Sequence, residues 1–275
     1  MPEVVAARPS IAGVLREATP RLAASDTPRL DAELLLAHAL GVDRGRLIVD
    51  ARRALDPVVL ARFDALVARR AAHEPVAYIL GGKDFRHITL RVDPRVLIPR
   101  PETELLVEVG LTLPRGASVV DVGTGSGAVA LALKDERPDL DVWGTDVSSE
   151  ALTVARANGF HLGMGVEFVQ TDLLCGLSRS FDAVLANLPY VAAGADLPAD
   201  VARYEPAGAL FAGEDGLDVI RRLVDALAQD LRLVALEVGV GQARTVASLL
   251  TRSRTNSIEI VRDLTGHERV VVGRR

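Results

Sequence analysis

The sequence predicts an α/β protein in which a small N-terminal helical domain precedes a doubly wound, mostly parallel sheet closed by a C-terminal antiparallel hairpin. Three observations carry this. From about residue 116 onward, short apolar runs alternate with helical patterns, as in a parallel sheet wrapped by helices. The last two apolar runs, 258–261 and 269–272, are joined by the turn Asp263-Leu264-Thr265-Gly266 and read as a hairpin. The first eighty residues show helical spacing only.

Each element follows from local signals. Ser25-Asp26-Thr27-Pro28 offers a cap and a first-turn proline, Leu30, Leu34, Leu35 and Leu40 recur at helical spacing, and Gly41 is the stop. Asp56-Pro57 opens another helix with Leu60, Phe63, Leu66 and Val67 on one face. After Gly81-Gly82, the alternation of Ile88, Leu90 and Val92 predicts a half-buried strand, and Pro94, Pro99 and Pro101 mark a connector before a short helix near Thr103. Strands are expected at 119–122, 142–145, 166–169, 183–186 and 233–238, with helices at 128–133 and 151–157, the latter capped by Ser148-Ser149-Glu150. The domains expected are a helical bundle over 1–80, a hairpin and connector over 81–115, and a main domain over 116–275.

Composition narrows the function classes. Of 275 residues, 49% are hydrophobic and 25% charged, ample for a packed core and unlike a disordered chain. The net charge of −5 disfavours a protein held to nucleic acid through phosphates. Residues 1–115 carry 17 basic and 15 acidic side chains, and 116–275 carry 15 and 22, so the main domain is acidic and no Lys/Arg cluster is evident along it. A lone cysteine, Cys175, excludes an internal disulfide and a cysteine-based zinc site, and a reducing, cytoplasmic setting is expected. No apolar run approaches the roughly 18–20 residues of a membrane span. Arg8, Arg16, Glu17 and Arg21 interrupt the N-terminal apolar stretches, against a secretory leader.

The chemistry begins at Asp121-Val122-Gly123-Thr124-Gly125-Ser126-Gly127, between the first strand of the main domain and its helix. Alternating glycines let the backbone approach a ligand, and the helix that follows offers free N–H groups. Asp146 ends the next strand, where a carboxylate can accept both ribose hydroxyls of a nucleoside. The spacing Gly123-x-Gly125-x-x-Ala128 also satisfies a dinucleotide fingerprint, so the loop alone leaves the nucleoside open. Asp121 beside the loop suits a cationic, zwitterionic ligand better than a pyrophosphate, and the closing hairpin is foreign to a plain dinucleotide fold. Both features favour S-adenosyl-L-methionine over a nicotinamide cofactor.

Asn187-Leu188-Pro189-Tyr190 follows the strand at 183–186 and should face the same crevice. An amide or aromatic amine nitrogen is a weak nucleophile because its lone pair is delocalised. A methyltransferase must therefore hold the NH2 with acceptors that draw the lone pair out of conjugation. The Asn187 side-chain oxygen and the Leu188 carbonyl are suited to accept its two hydrogens, and Tyr190 to offer a ring face. No metal is called for.

With these motifs in place, the chain resembles the HemK/PrmC family, the peptide chain release factor N5-glutamine methyltransferases. Further stretches carry the likeness in family order: Leu30-Asp31-Ala32-Glu33-Leu34-Leu35-Leu36, Pro75 to Gly81, Leu97-Ile98-Pro99-Arg100-Pro101-Glu102-Thr103-Glu104, Arg203-Tyr204-Glu205-Pro206 with Ala209-Leu210, and Asp263 with Glu268-Arg269-Val270. The resemblance implies a class I S-adenosylmethionine-dependent methyltransferase fold with the cofactor held by Gly123, Thr124, Gly125, Ser126, Gly127, Asp146, Asp172, Leu173 and Asn187. It implies that Asn187, Leu188, Pro189 and Tyr190 hold the glutamine amide of a release factor's Gly-Gly-Gln loop, while the helical domain grips that factor. A monomer with no direct nucleic-acid or membrane binding is expected. Two departures stand out: Leu188 replaces the first proline of the family's Asn-Pro-Pro-Tyr, and Gln229-Asp230-Leu231-Arg232 lacks the usual Pro-Gly-Gly turn.

Three rivals share parts of this pattern. An adenine-N6 methyltransferase poses the same lone-pair problem but calls for a basic cleft. A non-catalytic binding module would have lost its active loop, whereas Asn187, Pro189 and Tyr190 are intact. An NAD-dependent oxidoreductase needs an acid partner in the crevice, and His161 and His267 read as surface or turn residues.

Overall fold

The computed structural model describes residues 8–253 and 255–275, in two compact units. Residues 1–7, counted above within the helical bundle, lie outside the described residues.

The first unit ends at Gly81 and takes in Pro198–Tyr204. Its helices are α1 (Ile11–Arg21), α2 (Pro28–Leu40), α3 (Arg44–Val49), α4 (Pro57–Ala71) and α5 (Val76–Leu80). Ser10, Asp43 and Asp56 cap α1, α3 and α4 by accepting backbone N–H bonds, and Gly41 and Gly81 end α2 and α5 in the left-handed region. The apolar face of α2 departs from expectation. Leu35 is buried with Ala32, Leu36 and Ala39, whereas Leu30 is 37% exposed, because α2 packs against both α1 and α4 and the buried stripe turns toward them. Asp31 is buried on the same helix, paired with Arg70 at 2.7 Å and accepting from the Ser25 and Thr27 hydroxyls.

The second unit covers Gly82–Leu197 and Glu205–Arg275. It opens with a hairpin of β1 (Lys83–Phe85) and β2 (Ile88–Leu90) and a connector that ends in a single 3-10 turn, Pro101–Thr103, leading into α6 (Glu104–Leu111). The alternating part follows: β3 (Ser118–Val122), α7 (Ala128–Glu136), β4 (Asp141–Asp146), α8 (Ser149–Leu162), β5 (Glu167–Gln170) and β6 (Ala183–Ala186). After α9 (Ala199–Tyr204), which groups with the first unit, come α10 (Asp218–Asp225), β7 (Leu233–Glu237), α11 (Ala243–Arg252), β8 (Ser257–Arg262) and β9 (Glu268–Arg274). The helices α9, α10 and α11 are additional to those read from the sequence, as are α1, α3 and α5 within the stretch expected to be helical.

The seven-stranded sheet runs β5-β4-β3-β6-β7-β9-β8. Its first five strands pair in parallel, and β9 is antiparallel to both β7 and β8, the doubly wound sheet with a closing hairpin that the sequence predicts. One face buries Val119 and Leu185 with Leu106 of α6 and Leu131 of α7. The other buries Val120, Val184 and Leu236 with Ile220 of α10 and Val246 of α11.

Strand order reverses between β3 and β6, the switch point where open α/β sheets bind ligands at the carboxyl ends of their strands. Register then aligns the residues that follow. Val122 lies opposite Thr145 and Ala186, and Ala186 opposite Leu236. The next residues along these strands are Gly123, Asp146, Asn187 and Glu237, which share one level of the sheet's carboxyl edge.

Candidate active site

A cavity of about 430 Å³ opens over that edge, within the range of small-molecule sites. Gly123, Thr124, Gly125, Ser126, Asp146, Asp172, Leu173, Asn187, Leu188 and Pro189 all line it. Gly127 and Tyr190 are not on its wall. Gly127 caps α7 with a φ of +84° and faces inward, where a Cβ would meet Leu131 and Phe168. At Gly125, φ is +55° and a Cβ would meet nothing within 4 Å, so this stretch of backbone lies open to a ligand.

Two carboxylates hold the loop. Asp146 accepts the Gly125 N–H at 2.9 Å and the Ser148 N–H at 2.9 Å, which orients both oxygens while leaving each a further lone pair for a hydroxyl. Burial pushes its carboxyl up, against those two bonds. Asp121 is buried at the end of β3, where its Oδ2 accepts from the Thr124 hydroxyl at 2.6 Å and from the Ala130 N–H at 3.3 Å. Desolvation outweighs these bonds and raises its carboxyl to about 7, with the Asp146 charge adding to the rise. Among the described residues no cation pairs with it. A ligand carrying an ammonium and a sulfonium supplies one, so these residues fit S-adenosyl-L-methionine.

Asp172 and Leu173 lie just beyond β5. The Asp172 carboxylate pairs with Arg222 of α10, a further residue of the cavity wall. Leu173 has a φ of +56° and its carbonyl accepts from the Thr145 hydroxyl at 3.0 Å. That backbone state costs a non-glycine residue about 1–2 kcal/mol.

On the opposite wall, the Asn187 amide donates from Nδ2 to the Thr103 hydroxyl at 3.0 Å. Leu188 is buried and packs beneath the glycine loop, so close that a Cβ on Gly123 would lie 2.9 Å from its Cδ2. Tyr190 sits behind Asn187, with its phenol 3.5 Å from Glu237 Oε1. Burial and the Glu237 charge push the phenol up to about 12, so it is a neutral donor. Its carbonyl accepts from Gln242 Nε2 at 3.0 Å, and Gly216 approaches so closely that a Cβ would lie 2.1 Å from that carbonyl oxygen.

The sequence reading did not assign Thr103, Glu237, Gln242, Asn158 or Glu205 to the site. Asn158 of α8 donates to the Ser126 carbonyl and to that of Arg91, tying the loop to the connector. Glu205 accepts from the Ile98 N–H at 3.1 Å and from Arg100 at 2.6 Å, which ties Ile98-Pro99-Arg100 to the chain at Glu205. A signal for Glu237 was present, an acid closing the buried run Leu233–Glu237 at the carboxyl edge. The acidic main domain also holds an arginine cluster that chain order conceals. Arg221, Arg244 and Arg252 meet on the surface of α10 and α11, away from the cavity.

Comparison with known proteins points to one family. Residues 13–81 match the family model for the PrmC N-terminal domain and 101–203 that for the methyltransferase small domain. A release factor glutamine methyltransferase of Mycolicibacterium smegmatis is 44% identical over 275 residues, covering 95% of this chain and 96% of that protein. One of Deinococcus radiodurans is 41% identical, covering 95% and 97%.

The chain belongs to the release factor glutamine methyltransferase family. Its fold is shared more widely. A methyltransferase from Pyrococcus furiosus, 17% identical, superposes with a TM-score of 0.52 over 67% of this chain and 87% of that one. The hMettl16 catalytic domain, 16% identical, gives 0.56 over 76% and 80%. As a member of the family, the chain is an S-adenosyl-L-methionine-dependent methyltransferase, and the cavity over the glycine loop is its candidate cofactor site.

Proposed function

We infer that the protein transfers a methyl group from S-adenosyl-L-methionine to the side-chain amide nitrogen of the glutamine in the Gly-Gly-Gln loop of peptide chain release factors. The observation that carries this reading is the meeting of Asn187-Leu188-Pro189 with the glycine loop and Asp146 on one cavity. When bound, the cofactor supplies an electrophilic methyl on a sulfonium.

The chain's own residues do the rest. Asp146 receives the ribose hydroxyls, Asp121 balances the ligand's positive charge, and Asp172 and Leu173 flank the adenine. Asn187 Oδ1 and the Leu188 carbonyl accept the two amide hydrogens and turn the nitrogen lone pair toward the methyl, with Pro189 limiting the loop's freedom. Tyr190 backs the substrate group and, being neutral, removes no proton. None is needed before attack, because the nitrogen would shed its proton to water once the N–C bond has formed and the sulfonium's C–S bond has broken to leave a neutral thioether. Rate enhancement then rests on orientation. The helical first unit grips the release factor, and the enzyme works as a cytoplasmic monomer without binding nucleic acid. Two observations support that setting: Cys175 is a free thiol, and no helix among the described residues is long and apolar enough to cross a membrane.

Labelled S-adenosyl-L-methionine tests the reading. Label should pass to a release factor, and not to a variant with alanine in place of the loop glutamine. Label on DNA or RNA instead would favour the adenine-N6 alternative.

A further inference from the structure

Among the described residues of the second unit, the exposed large apolar side chains are Val147, Phe160, Phe211, Val240 and Leu264. One exposed leucine needs no explanation, but the grouping of these side chains does. All except Phe160, near the C-terminal end of α8, stand on segments at the sheet's carboxyl edge. Val147 follows Asp146 and lines the cofactor cavity, and the other three line no part of it. Phe211, the most covered of the three, pairs through its backbone with Val191, next to Tyr190. Val240 lies on the turn between β7 and α11, and the fully exposed Leu264 on the turn between β8 and β9.

Strand order and register place these two turns. The glycine loop, Asp146 and Asp172 follow β3, β4 and β5, Asn187–Tyr190 follow β6, and β7 and β9 lie beyond, on the side away from Asp146. Val270 of β9 pairs with Glu237, and three residues further out the His267 carbonyl accepts the Asp263 N–H. At about 3.3 Å per residue and about 4.8 Å per strand, Leu264 stands about 10 Å past the level of Asn187 and about 10 Å to its side. Both turns are firmly held. The Asp263 carboxylate, 6% exposed, accepts from the Thr265 N–H and hydroxyl, the His267 N–H and Arg269 Nε at 2.6–2.9 Å. Gln242 Oε1 accepts the Gly239 N–H at 2.8 Å while its Nε2 donates to the Tyr190 carbonyl, which ties the Val240 turn to the active loop.

We propose that Val240 and Leu264 form an apolar ledge on which the release factor rests while its glutamine occupies the site. The occupant follows from continuity with that site. A protein whose loop reaches Asn187 covers the edge around it, and a standard interface of about 800 Å² per partner spreads about 16 Å from its centre, enough to take in both turns. Aliphatic side chains on preorganised turns lose little freedom on docking and gain by leaving water. Asp263 and Arg269, quoted above only for their resemblance, thereby acquire a role: they hold Leu264 out toward the partner.

This inference rests on the reading of the release factor as substrate, and the test separates the two. Steady-state kinetics on intact release factor are measured for the parent, Val240→Ser, Leu264→Ser, the Val240→Ser/Leu264→Ser pair and Phe160→Ser, with cofactor affinity by calorimetry and sedimentation of each. All three positions are exposed, so the variants keep the fold. Leu264→Ser should raise the KM for release factor about tenfold and Val240→Ser about threefold, and the pair about thirtyfold. In each, kcat and the cofactor Kd should stay within about twofold of the parent, the mark of lost binding that ground and transition states share. Phe160→Ser should match the parent. A parental KM in both single variants, a fall in kcat at unchanged KM, or an equal rise in KM with Phe160→Ser would each overturn the proposal. So would a parent that sediments as a dimer beside a monomeric Leu264→Ser of parental KM, which would give the ledge to a second copy of the chain. A parent that transfers no methyl to release factor contradicts the functional reading itself.

Discussion

At Asp121 burial raises the carboxyl to about 7, and a cationic ligand in the cavity would favour its charged form. The sign of the consequence follows from linkage. The cationic cofactor favours the carboxylate, so its affinity should fall as pH drops through 7, by about tenfold between pH 8 and pH 6. Calorimetry across that range checks this, and Asp121→Asn should bind weakly with a flat profile. The same raised acid makes the unliganded protein lose stability as pH rises from about 4 to 7, since the native state then holds a proton that the unfolded chain releases. Asn187→Ala should lower kcat by about a hundredfold, the scale of losing one preorganised polar contact to the reacting group, while cofactor affinity changes little. Leu188 is a different case. Its side chain packs under Gly123, so Leu188→Pro should stay active and lose about 1–2 kcal/mol of stability in denaturant unfolding, from the buried methyl groups removed.

Among elements, the connector between the hairpin and α6 has no regular structure of its own beyond one 3-10 turn, yet it delivers Thr103 to the site. Glu205 holds it by a side chain 1% exposed, paired with Arg100. Glu205→Ala should cost about 2–4 kcal/mol, read as a lowered Tm, with activity lost along with the connector's position. The strands and the glycine loop were legible in sequence because short apolar runs and glycine spacing are local. Helix α10 was missed because its apolar residues Ile220, Leu223 and Val224 are few and flanked by charge. Thr103 and Glu237 escaped for another reason. Thr103 bonds to Asn187 from 84 residues away in the chain, and Glu237 comes level with it only through the register of β6 and β7, pairings that no local pattern encodes. The pairing of Arg100 with Glu205 was hidden in the same way, although both stood inside motifs quoted for their resemblance.

For the whole molecule, composition and structure meet at the charge balance. The main domain carries 15 basic against 22 acidic residues, and its arginine cluster on α10 and α11 stands apart from the cavity, with Arg221 already paired to Asp215 and Asp218. Excess DNA or RNA should therefore leave the rate of release-factor methylation within about twofold, a competition assay that a nucleic-acid methyltransferase would fail. The central claim is that the methyl group goes to one amide nitrogen. Tandem mass spectrometry of a release factor incubated with the enzyme and S-adenosyl-L-methionine tests it most directly. The account predicts a single added methyl on the side-chain nitrogen of the Gly-Gly-Gln glutamine, absent with Asn187→Ala; an unmodified loop peptide, or a methyl on any other residue, would contradict it.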